Sequence, residues 1–235
     1  MDLLIVGNSV SLKSDVDSLT YPNLLIERLA GAVNVFQVIR AGSTVCDLEA
    51  DVILALEKFS PKLMILQIGH VDCAPRPLKK RERNKLSALR PNWLKNQIIR
   101  FIHNYRPHLI RVRGLIQFAP LNLFKESVNL IVKKAALQNC FTFILPITHV
   151  SALQEKREPW YNQEIERYNS ILRTLSSDCI KFIEQEDLLG QLTPDEYCLT
   201  PEDLHLKSFA HERITHYLEI EIRKRLNGLD AVSQH

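Results

Sequence analysis

The hydrophobic positions of this chain follow two spacings that alternate along its length. Short uninterrupted apolar runs predict buried strands, and longer stretches with apolar residues three or four positions apart predict amphipathic helices. The strands are expected at residues 3–6, 33–39, 63–68, 141–145 and 179–183. The principal helices are expected at residues 24–29, 47–59, 93–105, 122–137, 161–175 and 209–226. This alternation predicts an α/β protein in which a parallel sheet of five strands is covered by helices on both faces.

A turn signal follows the first strand directly, because the apolar run of residues 3–6 passes into Gly7-Asn8-Ser9. Ligands bind at the carboxyl edge of open α/β sheets, and Ser9 is predicted to lie at that edge. A serine there can act as a nucleophile when a base lies within reach. The alternative is that Asn8 and Ser9 only cap the next helix, and this stretch alone does not separate the two.

Composition narrows the class of protein. A chain of 235 residues, 46% of them hydrophobic, suits one domain with a sizeable core. The net charge of +3 is too close to balance for a nucleic-acid-binding protein. Five cysteines without a Cys-x-x-Cys pair indicate neither a zinc site nor a disulfide framework. Without a signal-peptide pattern or an apolar run of ~20 residues, we expect a cytoplasmic protein that does not act at a membrane.

A basic segment at about residues 74–91 interrupts the alternation, and we expect it to be a loop or lid inserted into the single domain 1–235. One interpretation is a solvated, mobile loop. The other is a docking surface for an acidic partner, such as a phosphorylated carrier or an acidic polysaccharide. Between residues 76 and 85, six basic side chains stand against one glutamate, Glu82: they are Arg76, Lys79, Lys80, Arg81, Arg83 and Lys85.

Four polar blocks are predicted to meet at the carboxyl edge of the sheet. Ser9, Gly42 and Gly69-His70-Val71-Asp72 each follow a strand, and His205 lies in the loop before the last helix. A hydrolytic serine needs a base, an acid that orients the base, and donors for the developing oxyanion. His205 can be the base, and the backbone amides of Ser9 and Gly42 can hold the oxyanion. No Gly-x-Gly-x-x-Gly follows the first strand, which argues against dinucleotide binding.

In this order, the blocks resemble the SGNH hydrolases, also called the GDSL esterase/lipase superfamily. The resemblance spans nearly the whole chain and implies a flavodoxin-like three-layer α/β/α sandwich that hydrolyses esters. It also implies Ser9 as nucleophile and His205 as base, with no metal or organic cofactor. The matching segments are Gly7-Asn8-Ser9, Gly42, Gly69-His70-Val71-Asp72 and Glu202-Asp203-Leu204-His205.

The third block departs from the family pattern at Val71. The family has an asparagine there, and its side-chain amide donates a hydrogen bond to the oxyanion, which valine cannot do. Losing one such donor typically costs about 10²–10³ in rate. His70, Asn8 and Arg76 are the candidate replacement donors, and Arg76 would also suit an anionic substrate.

The last block departs in the acid that orients the base. The family has an aspartate three positions before the histidine, and this chain has Glu202 there. A glutamate can fill this role, since Ser-His-Glu triads exist. Glu202 is therefore slightly favoured, with Asp203 as the alternative if the loop turns differently.

Three further expectations concern residues outside this chemistry. Asp72 is expected to tie the loop after the third strand to backbone amides. His211 is expected to be exposed on the closing helix. Residues 228–235 are expected to form a frayed tail.

The sequence therefore predicts a serine ester hydrolase that cleaves a short acyl ester through an acyl-enzyme. The substrate is expected to be a small molecule or a carbohydrate, with an O-acetyl group as a plausible acyl group. An acyltransferase that uses the same acyl-enzyme is one alternative. A non-catalytic binding protein on the same fold is the other, because Val71 removes an oxyanion donor.

Overall fold

A five-stranded parallel sheet forms the centre of the computed structural model, which describes residues 1–232. The strands lie in the order β2-β1-β3-β4-β5, and each neighbouring pair is parallel. The predicted five-stranded parallel sheet is confirmed. The strands are β1 (Asp2–Gly7), β2 (Asn34–Ile39), β3 (Leu63–Gln67), β4 (Phe141–Ile144) and β5 (Ile180–Phe182).

The inner strands are continuous apolar runs because both faces of the sheet are covered. In β1, Leu4 and Val6 pack into the core on one face, and Leu3 and Ile5 pack into the core on the other. All four side chains are fully buried. By contrast, β2 lies at an edge and its residues are only partly buried or exposed.

Helices form the two outer layers of the sandwich. The core on one face is completed by α2, α7 and α9, and the core on the other face by α1, α10 and α12. The predicted three-layer α/β/α architecture is therefore confirmed. Within residues 1–232 the helices are α1 (Tyr21–Arg28), α2 (Val45–Phe59), α3 (His70–Cys73), α4 (Lys80–Ser87), α5 (Asn92–Asn104), α6 (Arg106–Arg113), α7 (Leu121–Leu137), α8 (Ala152–Arg157), α9 (Tyr161–Arg173), α10 (Gln185–Leu189), α11 (Pro194–Tyr197) and α12 (Ser208–Val232).

The first three strands end at the same level of the sheet. Gly7, the last residue of β1, is paired with Ile39 of β2 and with Gln67 of β3. The segments that follow these strands therefore leave the carboxyl edge side by side. This register brings the loops that carry Ser9, Gly42 and Gly69 to one place.

The basic segment is partly helical, which corrects the expectation of a loop over residues 74–91. Helix α4 begins after Lys79, whose amide donates to the Glu82 carboxylate at 2.9 Å. That contact satisfies a donor that a helix start leaves unpaired. Helices α4, α5 and α6 together form a helical insertion, residues 77–115. Its ends lie side by side, because the Arg76 amide donates to the Ile116 carbonyl at 2.8 Å.

The last helix runs further than the sequence predicted. α12 continues to Val232, past the start of the tail expected at residue 228. The rest of that expected tail, residues 233–235, lies outside the described residues. In the part of the chain that is described, no helix has the length and apolar character needed to cross a bilayer.

Candidate active site

Ser9 starts a tight 3-10 turn, Ser9–Ser11, immediately beyond β1. The Asn8 Oδ1 accepts a hydrogen bond from the Val10 amide at 3.2 Å and so caps this turn. Ser11 Oγ donates to Gln67 Oε1 at 2.5 Å, which fastens the turn to the end of β3. A side chain at Gly7 would overlap Ser11 Oγ, so glycine is required before the turn. Ser9 itself is only partly buried.

Asp203 is the acid that holds His205. One carboxylate oxygen of Asp203 accepts from the His205 ring Nδ1 at 2.5 Å. The same oxygen accepts from the backbone amides of Leu204 at 2.7 Å and His205 at 3.1 Å. Three donors on one oxygen fix both the loop and the imidazole. The other ring nitrogen, Nε2, is buried and has no hydrogen-bond partner among residues 1–232.

The preference for Glu202 as the orienting acid is corrected by this geometry. The loop curls so that the Asp203 carboxylate folds back over the two amides that follow it, a conformation that aspartate favours. Glu202 is exposed and lines a surface depression together with His103 and Arg157. Among residues 1–232, the contact with the His205 ring comes from Asp203, and Glu202 forms none.

The His205 loop is fastened to the segment that follows Ser9. The Ser208 amide, at the start of α12, donates to Asp15 Oδ1 at 2.5 Å. His211, one turn into α12, donates through Nε2 to the Lys13 carbonyl at 3.0 Å. These contacts join two loops that are nearly 200 residues apart in the chain.

His211 is buried, although the sequence predicted an exposed side chain. Its Nδ1 accepts from the Tyr21 amide at 3.3 Å, and its side chain has no exposed surface. Burial lowers the pKa of His211, so the ring is neutral and can accept at one nitrogen and donate at the other. The spacing of His211 from Ile214 and Leu218 would have placed it on the apolar face of the helix.

Burial also affects the charges of the Asp203–His205 pair. It lowers the pKa of His205 below its ordinary value of 6.5, and the attraction of Asp203 offsets this only in part. Burial raises the pKa of Asp203, but the amide and ring donors of His205 outweigh it and leave the pKa below 3.8. At neutral pH, Asp203 is therefore ionised and His205 is neutral, the state in which an imidazole accepts a proton.

Gly42 lies in an exposed turn beyond β2, with φ at +72°. That backbone conformation favours glycine. No atom would crowd a side chain at this position, so the backbone and not the space selects the residue. Within residues 1–232, the Gly42 amide has no hydrogen-bond acceptor.

The third block is structural at two of its positions. Gly69 has φ at +116°, and a side chain there would overlap Ile147. Asp72 accepts from the Val45 amide at 2.8 Å and so caps the start of α2, as the sequence predicted. Burial raises the pKa of Asp72 to about 7. Val71 is buried and apolar, so it offers no hydrogen bond to an oxyanion.

His70 is not available as the replacement donor. Its Nε2 lies 3.1 Å from Thr148 Oγ1, and its Nδ1 lies 3.4 Å from the Tyr161 hydroxyl. The same hydroxyl donates to the His70 carbonyl at 3.0 Å. Burial, followed by the charges of His205 and His149, lowers the pKa of His70 to about 3, so the ring stays neutral.

The two remaining candidate donors lie in different surroundings. Asn8 is buried and uses its Oδ1 for the turn, which leaves only its Nδ2 amide for a ligand. Arg76 lies beside the helical insertion, with its guanidinium 4.9 Å from the centre of the Phe118 ring. Arg76 therefore belongs to a cavity under that insertion.

Solved structures similar to this chain include esterases and lipases. A lipase/acylhydrolase from Enterococcus faecalis superimposes with a TM-score of 0.65 at 12% identity, over 96% of this chain and 97% of the other. A carbohydrate acetylesterase family member from Sinorhizobium meliloti gives a TM-score of 0.60 at 13% identity, over 97% and 100%. A psychrotrophic esterase from Pseudoalteromonas sp., inhibited by monoethylphosphonate, gives 0.57 at 16% identity, over 96% and 98%.

The sequence by itself matches no family model and no curated protein. At identities of 12–16% these structures show a shared fold that extends over nearly the whole of each chain. The activities of the similar structures belong to those proteins, and the likeness to this chain is one of fold.

Proposed function

We propose that this chain, which has the SGNH-hydrolase fold, is a serine ester hydrolase with Ser9 as nucleophile. The observation that carries the proposal is the state of His205. Its Nδ1 is held by Asp203, while its Nε2 is buried and has no partner within the described residues. A buried ring nitrogen without a partner is costly, and a hydroxyl that approaches it during reaction would relieve that cost.

The proposed reaction uses Ser9, His205 and Asp203 in the usual order of a serine triad. Ser9 Oγ attacks the ester carbonyl while His205 Nε2 takes its proton, and Asp203 stabilises the imidazolium that forms. The imidazolium then gives the proton to the leaving alcohol, and an acyl-enzyme remains. Water, deprotonated by the same imidazole, releases the acyl group as a carboxylic acid.

The proposed oxyanion hole consists of two backbone amides. Ser9 and Gly42 follow strands that end at the same level, and the Gly42 amide has no competing acceptor among residues 1–232. Val71 contributes nothing, so the Asn8 Nδ2 is the side-chain donor nearest in sequence to the nucleophile. We propose a short acyl ester as substrate, and the acetylesterase among the similar structures supports an acetyl group.

A second candidate is a non-catalytic binding protein on the same fold. It is favoured by the loss of the asparagine donor at Val71 and by the engagement of both His70 ring nitrogens. Removing one oxyanion donor lowers rates by about 10²–10³, which would leave a weak enzyme or none.

Labelling with a fluorophosphonate probe separates the two candidates. Such a probe reacts with a serine that is activated by a base, and one similar structure is an esterase inhibited by a phosphonate. We expect the mapped modification at Ser9 in the native protein and its loss in Ser9→Ala and His205→Ala. Ser170→Ala, an exposed serine of α9, is the matched control and should label fully.

Absence of labelling in the folded native protein would overturn the esterase proposal in favour of the binding protein. Labelling at Ser9 that persists in His205→Ala would remove His205 from the mechanism. The fold of each variant is checked by circular dichroism and thermal unfolding.

A further inference from the structure

A cavity of about 370 Å³ lies between the helical insertion and the loops beyond β3, apart from the Ser9 turn. Its size falls in the range of small-ligand sites. Most of its wall is apolar and consists of Leu78, Leu86, Ile99, Ile102 and Phe118. The helices of the insertion, which no part of the proposed reaction uses, supply most of these side chains.

Three arginines line the same cavity. Arg106 forms an ion pair with Glu158, whereas Arg76 and Arg83 have no carboxylate partner within residues 1–232. Both of these guanidinium groups instead lie over the Phe118 ring, at 4.9 and 5.6 Å from its centre. The cavity therefore carries an excess of positive charge between apolar walls.

Two of the arginines also have hydrogen-bond donors that no group satisfies. The Nε atoms of Arg76 and Arg106 are buried and lack a partner in the described part of the chain. Leaving a buried charged donor unsatisfied is unfavourable, and an incoming oxyanion would satisfy it. Guanidinium groups match carboxylate and phosphate oxygens in pairs.

We propose that this cavity binds an anionic amphiphile, in which a carboxylate or phosphate group is attached to a short apolar chain. The arginines receive the oxyanion, and the wall formed by Leu86, Ile99 and Ile102 receives the chain. The apolar walls have a low dielectric constant and concentrate the electric field of the arginines. The arginines therefore attract such a ligand more strongly than they would on an open surface.

A chain of contacts leads from the cavity towards His70: Arg106 pairs with Glu158, whose carbonyl accepts from the Tyr161 amide at 3.2 Å. The Tyr161 hydroxyl contacts His70, and the pKa of His70 responds to the charge of His205. Burial raises the pKa of Tyr161 well above its usual value, so its hydroxyl stays protonated. If the ligand is part of the ester substrate, a step that rests on the proposed function, the substrate is an ester with an anionic group.

Titration calorimetry with hexyl phosphate tests the proposal on the full chain carrying Ser9→Ala, so that no reaction intervenes. We expect saturable binding that Arg76→Gln weakens about tenfold or more, as the loss of a charge-assisted hydrogen bond would. Arg83→Gln, at an exposed position, should weaken it in the same direction without threatening the fold. Arg81→Gln is the matched control, since Arg81 is on the same helix but does not line the cavity.

The outcomes are distinct from those of the labelling experiment. Absence of hexyl phosphate binding, or binding that Arg76→Gln and Arg83→Gln leave unchanged, overturns the cavity proposal and leaves the esterase proposal standing. Binding of inorganic phosphate as tight as that of hexyl phosphate overturns the assignment of the apolar wall. If hexyl phosphate binds but Ser9 of the native protein is not labelled by the fluorophosphonate probe, the cavity proposal is supported and the esterase proposal is overturned.

Discussion

At the scale of single residues, the spacing between acid and base decides the geometry of the site. Asp203 stands two positions before His205 and folds back over the amides between them. Glu202 stands three positions before it, where the SGNH family has its aspartate, yet its side chain is exposed. The family pattern therefore pointed to the loop that holds His205, whereas the carboxylate in contact with the imidazole is the neighbouring Asp203.

Replacing the two acids separately should give unequal losses. Asp203→Asn keeps the shape but removes the charge that stabilises the imidazolium, so kcat/KM for 4-nitrophenyl acetate should fall by about 10³–10⁴-fold. Glu202→Gln is the matched control at the neighbouring position and should change kcat/KM by less than about threefold. The reverse ranking would return the orienting role to Glu202.

The pH dependence of kcat/KM should follow the protonation of the His205 imidazole. Because burial lowers the pKa of His205 and Asp203 raises it, kcat/KM should increase with pH through a midpoint below 6.5 and then level off. Removing the Asp203 charge should move that midpoint further down, since only the effect of burial remains. A midpoint above 6.5 in the native protein would contradict the lowered pKa of His205.

At the scale of elements, one carboxylate joins β3 to α2. Asp72 accepts from the amide of Val45, the first residue of α2, while its second oxygen is buried and unpaired among residues 1–232. The helix start thus gains a cap from a loop on the neighbouring strand.

Asp72 should make stability depend on pH in a defined direction. Its folded pKa of about 7 is above the ordinary 3.8, so the folded state binds the proton more tightly than the unfolded state. The contribution of this proton to the free energy of unfolding is fully present below about pH 4 and is lost as the pH rises towards about 7. Asp72→Asn keeps the acceptor for Val45 but cannot ionise.

The free energy of unfolding of Asp72→Asn, measured by urea titration, should therefore gain on the native protein between about pH 4 and 7. Asp17→Asn is the control, because Asp17 is exposed. A constant difference between Asp72→Asn and the native protein across this range would contradict the raised pKa of Asp72.

At the scale of the whole molecule, the parts predictable from sequence were those governed by local pattern. Uninterrupted apolar runs marked the strands, and the Gly7-Asn8-Ser9 turn marked the sheet edge. Helix α4 was taken for part of a loop because its polar sequence shows no apolar periodicity, although lysine and arginine are good helix formers, whereas α5 was expected as a helix at residues 93–105. The burial of His211 was readable from its helical spacing, but its partners Tyr21 and Lys13 lie far away in the chain and no single-sequence pattern encodes them.

The closed neck of the helical insertion has a consequence for how such a chain can change. A segment whose two ends are already joined by a backbone hydrogen bond, from Arg76 to Ile116, can be lengthened, shortened or exchanged at little cost to the frame. The groups proposed to react lie on the frame, whereas most of the walls proposed to bind a ligand lie in the insertion, so the two can change separately. Recombination at this neck would supply a new specificity in one step, while the sheet and its chemistry pass through unchanged.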